Sequence, residues 1–288
     1  MVASIDYIEQ VISAYEAAAA ANLATPGREG SLIELTAELA DDVMITADLH
    51  GHRPNFNAIR RIADLTNHPR RHLVMQEVCH GGPTYPGSGG CMSHMMLEDV
   101  ARLKVAFPER VHFLMSNHEL AELTDYPIVK NQKMLNLMFR FGMQEMYGPA
   151  VDRVREAMVK FLRTAPLAIR IAPRTWVSHS LPERVDQRSF DATLFERELD
   201  DEDLAEGSPV FSLVWGRDYR QQNADAFAKL VQADVMIHGH EPCADGFFAP
   251  NTRQVIIDCH GERACYMILP VGRELTQQDV VERVQRLR

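Results

Sequence analysis

No stretch of this 288-residue chain approaches the ~20 consecutive apolar residues that span a bilayer. The N-terminus, Met1-Val2-Ala3-Ser4-Ile5-Asp6, also lacks a basic region followed by an apolar one. Neither a membrane partner nor a secretory leader is expected, and a cytoplasmic location is. Cysteine pairing is missing too: Cys79, Cys91, Cys243, Cys259 and Cys265 form no Cys-x-x-Cys and are odd in number. That argues against a disulfide framework and against a structural zinc site, so reduced, inert thiols are expected. Positive charge is in deficit, with 30 Lys and Arg against 40 Asp and Glu and a net charge of −10. A sequence-independent grip on a nucleic-acid duplex, which needs clustered cations, is not expected. No repeat of fixed period is present.

What the chain does have is a 46% hydrophobic content, enough for a substantial core, and 12 histidines whose placement carries information. Ile5, Ile8, Val11, Ile12 and Tyr15, then Leu32, Ile33, Leu35 and Leu39, fall at helical spacing on either side of Thr25-Pro26-Gly27. They predict two helices in an N-terminal cap, with Ala17 to Ala21 as helix-forming filler. Val43 to Ala47 reads as a strand, Asn55 to Leu65 as a helix and His72 to Gln76 as a second strand. This order favours parallel pairing in an α/β fold, with functional groups at the carboxyl ends of the strands. The Gly- and Pro-rich segment from Val78 to Gly90 is a loop. A helix from Ser93 to Phe107 and a strand from Val111 to Met115 follow.

Residues 131–164 read as helical, broken near Gly148-Pro149, with methionines at core spacing. Strands are then expected at Leu167 to Ile171, Arg174 to Ser178, Val235 to Gly239, Gln254 to Asp258 and Cys265 to Leu269. The acidic run from Glu196 to Glu206 reads as a solvated face or flexible loop. A final helix is opened by Thr276 as N-cap.

Five of the strand ends carry ligand-type side chains. The first is Asp48-Leu49-His50, where two donors spaced by two on a strand would face the same way. Glu77 ends the second strand, and Asn117 and His118 follow the third. His179 ends a later strand, and His238 and His240 close another. Converged on one crevice, they offer oxygen and nitrogen donors for two divalent ions with a carboxylate between them.

In these segments the chain resembles the calcineurin-like metallophosphoesterases, most closely their phosphoprotein phosphatase branch. The family's Gly-Asp-x-His-Gly stands here as Ala47-Asp48-Leu49-His50-Gly51, and its Gly-Asn-His-Glu as Ser116-Asn117-His118-Glu119. His179-Ser180-Leu181-Pro182 is a degraded His-Gly-Gly-Leu-Ser-Pro. Val214-Trp215-Gly216-Arg217-Asp218 resembles Leu-Trp-x-Asp, and Gly239-His240-Glu241-Pro242 the late histidine motif. The resemblance spans roughly residues 43 to 270.

It implies a four-layer αββα sandwich of two mixed sheets flanked by helices, over residues 41–288, with residues 1–40 as a helical extension. It implies two divalent ions, Mn, Fe or Zn, with Asp48, His50 and Glu77 at the first and Glu77, Asn117, His179 and His240 at the second. His118 would be the general acid for in-line attack by a metal-activated hydroxide on a phosphorylated substrate, a phosphoprotein or a nucleotide. Glu119 would orient the surroundings of His118, while His238, His80, Arg217 and His52 are candidates for outer-shell or substrate contacts.

One motif departs from the pattern. Gly-Asp-x-x-Asp-Arg-Gly is replaced by Gln76-Glu77-Val78-Cys79-His80-Gly81-Gly82, so the bridging Asp becomes Glu77 and the Asp that orients the catalytic histidine becomes His80. The phosphate-clamping arginine becomes Gly81, and a second family arginine becomes Met115. Losing two bidentate phosphate ligands leaves three expectations open: other cations take their place, the enzyme is a phosphodiesterase of the same fold, or the protein is a weakened relative serving as a binding or regulatory module.

Overall fold

The computed structural model describes residues 2–287. Helix α1 (Ile5–Leu23), capped by the Ser4 side chain, leads to strands β1 (Arg28–Glu29) and β2 (Leu32–Leu35). There follow β3 (Asp42–Asp48), α2 (Arg53–Ala63), β4 (Arg71–Gln76), α3 (Ser93–Ala106), β5 (Val111–Leu114) and α4 (Asn117–Thr124). A hairpin, β6 (Val129–Lys130) and β7 (Lys133–Met134), precedes α5 (Leu135–Tyr147) and α6 (Val151–Arg163). The second half holds β8 (Ala168–Ile171), β9 (Thr175–Ser178), α7 (Asp201–Leu204), α8 (Pro209–Trp215), α9 (Gln221–Leu230) and β10 (Val235–His238). It ends with β11 (Phe247–Phe248), β12 (Gln254–Ile257), β13 (Cys265–Pro270), α10 (Gln277–Val281) and β14 (Val284–Arg286).

These strands build two mixed sheets. One has the order β1-β2-β8-β9-β10-β12-β11 and the other β14-β13-β3-β4-β5. As strand–helix–strand order predicts, β3 pairs parallel with β4, and β4 with β5. In the seven-stranded sheet the two-residue side-chain period divides the strands between two cores. Ile33, Ile169, Val177, Val235, Ile237 and Val255 share one cluster with Val43, Ile45 and Val74 of the other sheet. Ala168, Trp176 and Met236 join a second cluster with Leu213 of α8 and Phe227 of α9. On the far side, α1 lies against α3 and α6. The result is the expected sandwich of two mixed sheets flanked by helices. No helix among the described residues is long and apolar enough to cross a membrane.

Three expectations are corrected. Leu32 to Leu39 does not form a second N-terminal helix: Leu32–Leu35 is a strand that pairs parallel with Ala168–Ile171, burying Ile33 and Leu35 on alternate positions. Three apolar residues in a stretch of four fit either period, and here the neighbouring strand decides. The helix opened by Thr276 is only five residues long and gives way to β14, which pairs with β13. Residues 131–134 are not helical but belong to the β6–β7 hairpin. The acidic run is a largely exposed face, one of the two readings given for it, and it is ordered. Asp200 caps α7, Asp203 pairs with Arg197, and Leu204 is buried. All five cysteines are free and buried.

Candidate metal centre

The ligand-type residues meet in a cleft of about 400 Å³ between the sheets, lined by Asp48, His50, Glu77, Asn117, His118 and His240 among others. β3, β4 and β5 deliver their groups from one sheet, and β9 and β10 theirs from the other. Asp48 is the last residue of its strand, but His50 is not on the strand at all. It sits in the turn with φ of 42°, so the shared-face argument for the pair gives way to a left-handed turn. Glu77 follows β4 with φ of 47°, His80 has φ of 65° and His240 φ of 70°. Four non-glycine residues in left-handed backbone at one site, each costing roughly 1–2 kcal/mol, mark strain concentrated where side chains must be aimed. The backbone N–H groups of Leu49 and His50 both donate to the Glu77 carbonyl, which ties the first two strand ends together.

Glu77 is central. Its Oε2 lies 3.7 Å from His50 Nε2, and its Oε1 lies 3.6 Å from His118 Nε2 and 3.7 Å from His179 Nε2. These gaps are too long for hydrogen bonds and close to the ~3.4 Å between two ligands that each sit ~2.1 Å from one tetrahedral ion. His179 Nδ1 lies 2.8 Å from Gln76 Oε1, and the Gln76 amide is oriented by donating to the Thr46 carbonyl. Nδ1 therefore carries the hydrogen, and His179 Nε2 presents a lone pair 2.7 Å from the Asn117 side-chain oxygen, Oδ1. His240 Nδ1 is 3.1 Å from the same oxygen, and its buried Nε2 has no hydrogen-bond partner. The His240 backbone N–H donates to Asp48 Oδ1 at 3.0 Å.

Electrostatics agree. Burial pushes the Asp48 and Glu77 carboxyls well above the usual range, and the charge of Asp48 raises Glu77 further. Burial lowers His50 to about 3 and His240 to about 3, and it pulls His118 and His179 down as well, assisted by neighbouring histidines. Neutral imidazoles facing crowded carboxyls are a donor set that a cation completes. The residues therefore fit divalent metal: Glu77 lies within ligand distance of His50 and His118 on one side and of His179 and His240 on the other.

The outer candidates separate. His80 lines the cleft and meets His118, as described below. Arg217 lines it too, paired with Glu241. Glu119 holds the loop after β4: its Oε1 accepts from the N–H groups of Val78 and Cys79 at 3.0 and 2.9 Å, and its other oxygen bonds the Ser116 hydroxyl. His238 is buried against Ser178 through Nδ1, while His52 caps α2 and meets His260 edge-on. Four residues that the sequence reading passed over matter here. Gln76 orients His179, Lys130 reaches the cleft from the hairpin, and Asp258 and His260 line its wall. The last two follow β12, and the strand-end logic used elsewhere would have found them.

Two facing mixed sheets with this donor set at their shared edge define a metallophosphoesterase. The chain belongs to the calcineurin-like phosphoesterase family, whose profile matches residues 42–244. Among solved structures, the chain is similar to a protein serine/threonine phosphatase from Saccharomyces cerevisiae with similarity to human phosphatase PP5. The TM-score is 0.66 at 13% identity, over 95% of this chain and 86% of that one. It is also similar to a cold-active protein-tyrosine phosphatase of a psychrophilic Shewanella, with a TM-score of 0.53 at 12% identity, over 91% and 83% of the two chains. At such identities the likeness is one of fold. No curated protein sequence matches.

Proposed function

We propose that the cleft hydrolyses a phosphate monoester, of phosphoprotein or nucleotide type, with Asp48, His50, Glu77, Asn117, His179 and His240 holding two divalent ions. The observation that carries this reading is Glu77, whose two oxygens face histidines on both sides at 3.6 to 3.7 Å. When bound, such ions neutralise phosphoryl charge and lower the pKa of water. The chain's own groups do the rest. His118 opens its Nε2 to the cleft and is the proton donor to the leaving oxygen. Burial keeps it neutral in the free protein, and the negative charge of an arriving phosphate favours its taking up the proton it passes on.

Phosphate recognition falls to new cations. Met115 is fully buried and Gly81 has no side chain, so neither replaces the missing arginines. Lys130 and Arg217 line the cleft instead, and their positive charge reaches His50 and Glu77 respectively.

The test is turnover of an aryl phosphate monoester and an aryl phosphodiester by Mn²⁺-loaded protein, with His118→Asn alongside. The monoester should be preferred, and the variant should lower kcat by about 10²–10⁴. Preference for the diester would move the substrate class, and an unchanged rate in the variant would remove His118 from its role. Metal binding without turnover of either ester would favour a binding or regulatory module.

A further inference from the structure

His118 and Glu122 lie one turn apart on α4, and one imidazole bridges them. His80, from the loop after β4, places Nδ1 2.9 Å from His118 Nδ1 and Nε2 2.8 Å from Glu122 Oε1. The His80 and Glu122 side chains are completely buried. His80 itself is fixed from several directions. Its backbone N–H donates to Ser93 Oγ at 3.0 Å, its ring meets Phe139 edge-on at 5.7 Å, and its φ is 65°. Arg140 Nε stands 3.8 Å from the second Glu122 oxygen as counter-charge.

This chain of contacts fixes where hydrogens sit. Two imidazole nitrogens 2.9 Å apart can share only one hydrogen between them. A carboxylate is an acceptor, so Glu122 requires the hydrogen of His80 on Nε2. In the neutral imidazole His80 Nδ1 is then a lone pair, and it can only accept. His118 must supply the shared hydrogen from its own Nδ1, which leaves its Nε2 bare toward the cleft.

We propose that Glu122, acting through His80, is the positioning residue that sets the tautomer and ring orientation of His118. This rests on the role of His118 given above. His118 touches the reacting groups, whereas His80 and Glu122 act only through it.

The tautomer is read directly by two-bond ¹H–¹⁵N correlation on histidine-labelled, metal-free protein, without reference to activity. Wild type should show His118 carrying hydrogen on Nδ1. In Glu122→Gln, the amide can donate to His80 Nε2, which reverses the chain and moves the His118 hydrogen to Nε2. In turnover, Glu122→Gln should lower kcat about 10- to 100-fold for an alkyl phosphate, whose leaving oxygen needs a proton, with KM unchanged. A dinitrophenyl phosphate should be little affected.

His80→Asp in the Glu122→Gln background places an acceptor oxygen the same number of bonds from Cβ as Nδ1, and it should restore both the Nδ1–H tautomer and the alkyl-phosphate rate. A purely packing role predicts equal losses on both substrates, no tautomer change and no rescue, and that pattern overturns the proposal. A large loss in His118→Asn combined with wild-type behaviour of Glu122→Gln overturns it while leaving His118 in place. An indifferent His118→Asn strikes the underlying role instead, with the tautomer shift still deciding whether Glu122 governs His118. If Glu122→Gln fails to fold, His80→Asp alone carries the test, because a direct carboxylate acceptor should leave His118 in the Nδ1–H form, and the opposite tautomer would overturn the proposal.

Discussion

Gly81 stands where the motif resemblance would place a phosphate-clamping arginine, and the structure predicts that no side chain fits there. Its φ is +146°, and a Cβ would meet the carbonyl oxygen of His50 at well under 3.0 Å, with the His50 carbonyl carbon and Cβ both at 3.1 Å. The obstacle is backbone, so it cannot swing aside. Gly82 and Gly51 face each other in the same way, so segments 50–51 and 81–82 are packed main chain on main chain.

Gly81→Ala should therefore cost about 1–3 kcal/mol for a backbone conformation that is almost confined to glycine and about 1–3 kcal/mol more for overpacking. Gly89 gives a control without overpacking: its φ is +69° and a Cβ there meets nothing within 4 Å, so Gly89→Ala should cost only the about 1–2 kcal/mol of a left-handed residue. Urea unfolding of both variants separates the terms, and Mn²⁺ titration should show weakened binding only in Gly81→Ala, because His50 is displaced. Equal destabilisation of the two variants with metal affinity unchanged would refute the close packing of His50 on Gly81, and with it the reason the arginine is absent.

Two further predictions follow from the same geometry. Lys104 is buried, donating to Thr25 Oγ1 and the Pro108 carbonyl at 2.7 and 2.6 Å, and burial lowers it to about 7. Between there and the ordinary lysine value of 10.5 the unfolded chain binds more protons than the folded one. Stability should rise with pH across that window by up to about 1.4 kcal/mol per unit, and Lys104→Met should remove this part of the slope in urea unfolding at pH 7, 8 and 9. Identical slopes would contradict it. Lys130→Ala should raise KM for a phosphate monoester several-fold with kcat little changed and reduce its salt dependence, since Lys130 contributes a cation at the cleft rather than to the metal ligands. A KM that does not move would leave phosphate binding to Arg217.

Much of the architecture is legible in the sequence because apolar runs such as Val43 to Ala47 and Val111 to Leu114 are bounded by sharp changes to polar ligand types. Strand order and parallel pairing follow from the helices between them. Segments decided by distant partners were misread. Ile33 and Leu35 fit a helix until β8 pairs with them, and residues 131–134 fit the start of a long helix until Lys133–Met134 pairs with Val129–Lys130 as a hairpin.

The ligand-type residues were legible as strand-end chemistry, yet their placement on two facing sheets was not. Neither was the left-handed backbone that aims His50, Glu77, His80 and His240. His118 and Glu122 are visibly one helical turn apart in the sequence. Nothing local shows that His80, 38 residues before His118, slots between them.

If Glu77 bridges two metal positions in a working phosphoesterase, the rate of aryl phosphate hydrolysis should follow the Mn²⁺ titration of metal-free protein. Turnover should rise and reach its plateau at two bound ions per chain. Absence of turnover at every level of bound metal would contradict that prediction.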